Sequence, residues 1–421
     1  MNVFVLVAIF VALTILRVNV AITLALVVGL IHVWYADSSF EFLLQDFWFT
    51  VDREVLLSLP MFIFAGVIMS RGSIAARLVR VMKAITGPVP GGLGIAAVLT
   101  MALFSAISGA SVVTMMAVGT LMFPALISAG YSRSYSLGLM CSGGTLGVII
   151  PPSILMVLYG VSTEVSITDM FKAGWGPGLT MVAALCAYTL LLNSRTPTTP
   201  FSGKELLQAL RDGIWSIMMP VILLGGIYSG HFTVTEASAI SLGYALIIEL
   251  LIHRDLKPHY IRGIATESIS LIGSILPLLA VAGSLNTILD YQGVPQAVVA
   301  WSSQAIHSQW QLMLVVNSLL VLAGALMDEG SAIVIFAPLM APLGAAYGYD
   351  PVHFAMIVIV NLQLGYVVPP VAINLIVATV VFKASFAEVC KSVLPFIVIM
   401  LVVLLITIMV PQLSLVFLGR G

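Results

Sequence analysis

Two short stretches of this sequence gather hydroxyls, glycines and amide or acid side chains inside otherwise apolar runs. The first contains Ser105, Ser108, Gly109, Ser111 and Thr114, with companions at Ser142, Gly143, Gly144 and Thr145. Hydroxyl oxygens and exposable backbone carbonyls, without a formal charge, suit a hard monovalent cation such as Na⁺. Small residues also allow close helix packing, but here a polar turn coincides with an interrupted helix, which favours a site. The second stretch contains Gly324, Asp328, Glu329, Gly330 and Ser331, with companions at Asn361, Gln363 and Gly365. Ionisable groups within an apolar run are costly and usually functional. Asp328 therefore reads as a cation ligand, with a proton carrier or one half of an ion pair as alternatives, and Glu329 reads as lying at the wetter edge. Neither turn carries an arginine, so an anion held there would lean on amide dipoles, hydroxyls and bound cations.

The elements that position these residues are marked by repetition. Gly130–Ser153 is echoed by Gly348–Val371: Gly130, Tyr131, Gly147, Pro151 and Pro152 recur as Gly348, Tyr349, Gly365, Pro369 and Pro370 at a constant offset of 218. A register held without insertion over such residues indicates duplicated halves. Each Pro-Pro interrupts an apolar helix, and in lipid such broken backbone survives only where it is buried in protein or lines a wet cavity. Paired interruptions in corresponding positions point to a transporter's binding site, so Ser105, Ser142, Pro151, Pro152, Ser331, Asn361, Pro369 and Pro370 are placed in the vicinity of a substrate.

Composition narrows the class. Of 421 residues, 60% are hydrophobic and 8% charged, and mean hydropathy is +1.14, which makes this a polytopic membrane protein with about ten to twelve crossings. No polar stretch is long enough for a soluble catalytic domain. Cys141, Cys186 and Cys390 lie far apart in apolar surroundings, and the six histidines show no metal-site spacing. With no phosphate-binding loop, ATP is not the expected energy source. No cofactor beyond a coupling ion, no transition metal and no nucleic-acid partner is expected; the lipid bilayer is.

In chain order, residues 1–86 supply the first scaffold helices and an interfacial arm helix. Residues 3–35 form one long or two short helices broken near Arg17-Val18-Asn19, and 37–54 form an acidic loop. Arg71, Arg77, Arg80 and Lys83 share one side of a helix whose other side carries Ala75, Leu78, Val79 and Met82, as suits a helix in the interface plane. Residues 87–193 form a first repeat, with a re-entrant hairpin at 90–127 and a broken helix at 131–160. Each hairpin arm is about 18–22 Å long, short of a roughly 30 Å hydrocarbon core; two very short spanning helices are the alternative. Residues 194–266 are central scaffold helices, and Glu236 is expected to cap a helix start through Thr233 or Thr235. Residues 267–421 form the second repeat, with a hairpin at 311–345, a broken helix at 350–380 and a last helix at 392–418. Placing the 71–83 loop in the cytoplasm puts thirteen of the seventeen Lys and Arg on that side. Five crossings then separate Gly130 from Gly348, so the repeats are inverted.

These residues resemble the large membrane subunit of tripartite ATP-independent periplasmic (TRAP) transporters over nearly the whole chain. The resemblance rests on SLPMFIFAG at 58–66, LVRVMKAITGPVPGGLGIA at 78–96, SAISGASVVT at 105–114, GGTLGVIIPPS at 143–153, LLGGIYSGHFTVTEASA at 223–239 and NLQLGYVVPPV at 361–371. It implies an elevator-type protein of the ion-transporter superfamily in a bacterial or archaeal inner membrane. It further implies Na⁺-coupled import of small organic acids such as C4-dicarboxylates, sialic acid or related carboxylates. Two partners are implied: a soluble periplasmic substrate-binding protein and a small four-helix membrane subunit, here expected as a separate chain. Carried onto this sequence, one Na⁺ site falls on Ser108, Gly109, Ser111, Gly144 and Thr145, and the other on Gly324, Asp328, Gln363 and Gly365. Glu329 stands where a smaller or less charged residue is expected. The alternative function is a self-sufficient dicarboxylate or citrate carrier that needs no binding protein; an intramembrane enzyme finds no nucleophile, base or metal constellation here.

Overall fold

A computed structural model describes the chain continuously over 20–35, 40–370 and 372–419, with isolated positions before residue 20. Much of the expected break near residues 17–19 lies outside the described residues, so one helix or two is not decided there; from Val20 to Tyr35 the helix is unbroken. The described residues contain helices and turns only. Nine helices among them are long and apolar enough to cross a membrane, or ten when the first broken pair is counted as one span.

The duplication is visible as structure. In the first half a hairpin of Gly92–Ser108 and Ser111–Ser128 precedes a broken helix built from Arg133–Gly144, Leu146–Ile149 and Ile154–Thr163. In the second half a hairpin of Gln309–Leu326 and Glu329–Ala346 precedes Pro351–Gly365 and Ile373–Val381. The helix after the turn begins at 111 and 329, and the broken helix starts at 133 and 351 and ends at 163 and 381, so the offset of 218 persists through the fold. Each Pro-Pro peptide is cis. The first broken helix bends by 45°.

The two broken helices run antiparallel. At one end Arg133, near the start of the first, reaches Glu388 at 2.8 Å and the carbonyl oxygens of Phe382 and Lys383 just past the end of the second. At the other end, Pro351 and the stretch Val161–Val165 line one crevice. This is the inversion that the odd number of crossings requires. Each half also reaches across to the other, because Ile154–Thr163 packs on Glu329–Ala346 and Ile373–Val381 packs on Ser111–Ser128.

Backbone interruptions fit together by close approach. Gly109 closes the first hairpin turn at φ 62°, and its carbonyl accepts from Ile154 N at 3.2 Å, just beyond the first Pro-Pro. In the second half Ala372 N donates to the Ala325 carbonyl at 3.2 Å. These bonds satisfy backbone groups that a broken helix leaves open. Both ends of the first turn are buried within protein, with Ser108 at 2% and Ser111 at 0% exposure. The hairpin arms are longer than expected, because each helix runs on into its connection: Ser111–Ser128, Gln309–Leu326 and Glu329–Ala346 have 18 residues each and are among the helices long and apolar enough to cross a membrane. A Cβ at Gly147 would sit 2.4 Å from the Ala110 carbonyl oxygen and 2.6 Å from Thr114 Oγ1. Gly147→Ala must therefore displace the hairpin backbone. It is expected to cost about 1–3 kcal/mol, read as a lowered melting temperature of the detergent-purified complex, whereas Gly225→Ala, with open space around it, leaves that temperature unchanged.

The scaffold differs from the sequence reading in three places. The expected acidic loop at 37–54 is mostly a helix, Phe40–Val51, which packs on Ile261–Tyr291 and buries Leu43. The amphipathic helix runs from Ile74 to Thr86 and buries Ile74, Ala75, Leu78, Val81 and Met82. Arg71 is not on it but ends the preceding helix, Ser58–Arg71, and the charges do not simply face lipid headgroups: Arg71, Arg77 and Arg80 pair with Glu267, Asp255 and Asp212 of neighbouring helices and their connection, at 2.7, 3.0 and 2.6 Å. The last long helix starts earlier, at Phe386, where Ser385 caps it by accepting from Glu388 N; it ends at Met409, and short turns follow to Leu418. Thr233 and Glu236 form the reciprocal capping box at the start of Val234–Ile247.

Candidate cation and substrate site

The first hairpin turn holds its hydroxyls in a buried network. Ser108 Oγ and Thr114 Oγ1 lie 2.7 Å apart across the turn. Ser142 Oγ donates to the Gly138 carbonyl at 2.7 Å and Thr145 Oγ1 to the Ser142 carbonyl at 2.6 Å. A hydroxyl that has donated its single proton keeps lone pairs for a second partner, so these side chains remain electron-rich toward the interior. Ser105 donates within its own helix, to the Met101 and Ala102 carbonyls. The broken helix comes in beneath: a Cβ at Gly144 would lie 3.2 Å from the Ser111 carbonyl oxygen. The fold thus brings Ser111 to Gly144 and sets Thr114, bonded to Ser108, over Gly147. Gly66 of the SLPMFIFAG segment packs on Ser108 from the other side.

A residue from the opposite half completes this cluster. Asn374 is fully buried, and its Nδ2 donates to Ser111 Oγ at 2.7 Å and to the Cys141 carbonyl at 3.4 Å. Its Oδ1 has no hydrogen-bond partner. Sequence reasoning passed over Asn374 because its position in the other half, Met156, carries no polar atom of that kind. The available signal was a single amide in the apolar run Ile373–Val381.

At the second turn Asp328 is the N-cap of Glu329–Ala346. One carboxylate oxygen accepts from Ser331 N at 2.9 Å, and the other from the Ser331 hydroxyl. The cap leaves lone pairs on both oxygens. Glu329 is not at an open edge: half-buried, it accepts from Gln363 Nε2 at 2.8 Å. With that nitrogen committed, Gln363 Oε1 is left buried and without a donor. Asn361 likewise donates to the Asn317 side-chain oxygen at 2.6 Å and leaves Oδ1 unsatisfied. Gly324 and Gly365 meet backbone to backbone, since a Cβ on Gly365 would fall 2.9 Å from the Gly324 Cα. Around the Pro-Pro segments the halves differ. Pro151 and Pro152 are buried and lead to Ser153, whose buried hydroxyl has no partner, whereas Pro369 is half-buried and Pro370 exposed.

Buried polar atoms are rarely left unpaired, and the three amide oxygens here are acceptors without donors. An acceptor-only deficit is the complement of a cation. Beside it, the helices Ser111–Ser128 and Ile154–Thr163 begin without a side-chain cap, and uncapped N-termini present amides suited to an anion.

The solved YdaH transporter of Alcanivorax borkumensis is similar in fold, with a TM-score of 0.65 and 13% identity over 89% of this chain and 88% of that one. Residues 7–413 match the tripartite ATP-independent periplasmic transporter family, DctM component, and the chain belongs to that family of large permease subunits. It is 36% identical to the C4-dicarboxylate TRAP transporter large permease of Pseudomonas aeruginosa, over 87% of this chain and 86% of that protein. The ectoine TRAP transporter large permease of Halomonas elongata is 31% identical over 93% and 92% of the two chains. The isethionate permease DctMQ of Oleidesulfovibrio alaskensis is 35% identical over 90% of this chain but only 60% of its own length. The protein is therefore an inner-membrane transport subunit and not an enzyme.

Proposed function

We propose that the chain is the permease of a Na⁺-coupled importer of small organic acids that receives its substrate from a periplasmic binding protein and works beside a small membrane subunit. The observation that carries the cation reading is the set of buried amide oxygens on Asn361, Gln363 and Asn374 that lack donors, next to the hairpin turns. In this reading Na⁺ binds to Ser108, Gly109, Ser111, Gly144 and Thr145 with Asn374 in one half, and to Gly324, Asp328, Gln363 and Gly365 in the other. The bound cations and the uncapped helix starts together offset the charge of an acid substrate placed between the Pro-Pro segments. C4-dicarboxylate, isethionate and ectoine, the substrates named for the relatives, all carry an acid group, which supports the organic-acid class.

An elevator motion is supported by the division of the molecule. A crevice of about 650 Å³ separates scaffold residues Asp46, Arg53 and Asp290 from Glu164, Val334 and Pro338 of the hairpin and broken-helix block. Arg53 reaches across it, donating to the Val161 carbonyl at 2.9 Å and lying 3.9 Å from Glu164. Sliding one block past the other would carry the site across the membrane.

Proteoliposomes containing this chain and its small partner, given labelled C4-dicarboxylate, are expected to accumulate it only with an inward Na⁺ gradient and the binding protein present. Uptake that proceeds without the binding protein would favour a self-sufficient carrier. Uptake driven by a pH gradient alone would recast Asp328 as a proton carrier.

A further inference from the structure

Away from the hairpin turns, three potential ligands meet where the arm helix joins the scaffold. Glu249, His253 and Asp255 each present one ligand atom, and these atoms lie within 4.8 Å of one another. The scaffold helix Val234–Ile247 passes into a π-helical turn at Ile248–Ile252, which carries Glu249 inward. Such turns inside helices recur at functional sites.

Glu249 is fully buried. Its Oε1 accepts from the backbone N–H groups of Ser73 and Ile74 at 3.0 and 3.2 Å, the start of the arm helix. Gly72 makes this possible, because a Cβ there would fall 2.2 Å from Glu249 Oε1. The second oxygen, Oε2, is buried with no partner, and so is His253 Nε2. His253 Nδ1 is 3.4 Å from Ser73 Oγ. Asp255 offers Oδ2 to Arg77 at 3.0 Å and keeps its other oxygen.

We propose that Glu249, His253 and Asp255 form a binding site for one divalent transition-metal ion of the borderline class, Zn²⁺ or Co²⁺, that ties the root of the arm helix to the scaffold. One imidazole and two carboxylates are a common ligand set for such ions, with further positions open to water. An unpaired carboxylate oxygen and an unpaired ring nitrogen, both buried, are the deficit that a cation removes. Arg77 is the one opposing charge in contact with the cluster; it binds only the outer carboxylate oxygen.

The test uses the full chain with its small membrane partner, purified on a tag without histidines and stripped with chelator. Titration with Co²⁺ alone, followed by visible absorption and calorimetry, is expected to give one saturable site per chain. Glu249→Gln keeps an acceptor for Ser73 and Ile74, and His253→Gln keeps the ring's approximate volume. Both are expected to weaken Co²⁺ binding by about tenfold or more while metal-free melting temperatures stay near wild type. Zn²⁺ should raise the wild-type melting temperature and not that of either variant. Absence of saturable binding, or binding that both variants retain, would overturn the proposal. A variant that melts early without metal is replaced by Asp255→Asn, which lies outside the helix and must give the same loss.

Discussion

Asp328→Asn is expected to weaken Na⁺-driven uptake severely while leaving the second hairpin folded. Asparagine caps a helix about as well as aspartate, so the bond from Ser331 N to the side-chain oxygen, 2.9 Å in the wild type, can persist. Losing the negative charge at a helix start costs only about 0.3–1 kcal/mol. A cation, however, loses its one formally charged ligand at this turn among the proposed set. The Na⁺ concentration for half-maximal uptake should rise by at least about tenfold, equivalent to roughly 1.4 kcal/mol. If Asp328 served only as a cap, Asp328→Asn would transport like the wild type, and Asp328→Ala would show its effect as a loss of about 1 kcal/mol of stability. The pair of substitutions, measured by uptake and by thermal unfolding, separates the two roles.

Asn374→Leu should produce an effect of similar size on the other cluster. Leucine nearly matches asparagine in shape, and it removes both the donor to Ser111 Oγ and the unpaired Oδ1. The lost Oδ1 had no donor, but Ser111 Oγ is left without its partner, at a cost of about 1–3 kcal/mol. Stability should fall by no more than that, while Na⁺ affinity falls by about tenfold or more, as expected when a ligand or its immediate support is lost. Met156→Leu, at the matching position of the first half, should leave both properties unaltered. Equal Na⁺ dependence in wild type and Asn374→Leu would mean that Asn374 only joins the two halves.

The duplicated architecture was legible because it depends on residues that control backbone geometry. Gly130, Gly147 and the Pro-Pro pairs dictate turns and breaks wherever they stand, and their constant spacing fixed the correspondence between halves before any contact was known. Helix ends were less legible: the last long helix begins at Phe386 because Ser385 supplies a local cap, a short-range competition that hydropathy does not register. The arm helix buries one apolar face, yet its Arg77 and Arg80 meet acids 178 and 132 residues away in sequence, which no local pattern encodes. The same holds at the site. Ser108, Ser111 and Gly144 stand out in sequence as polar or glycine positions inside apolar runs, whereas Asn374 meets Ser111 across the halves at a separation of 263 residues. The partner of Glu329 was equally hidden: Gln363 lies on another helix, and only the packing of that helix reveals the bond.

On the proposed mechanism the two hairpin turns hold the ions that drive transport. Its most direct test is equilibrium binding of radioactive Na⁺ to the purified complex of this chain and its small partner, without substrate. Wild type should bind Na⁺ saturably, Asp328→Asn and Asn374→Leu should each remove part of that binding, and the double variant should remove more than either. Saturable binding that survives in the double variant, or no saturable Na⁺ binding by a complex that still accumulates substrate, would contradict the account.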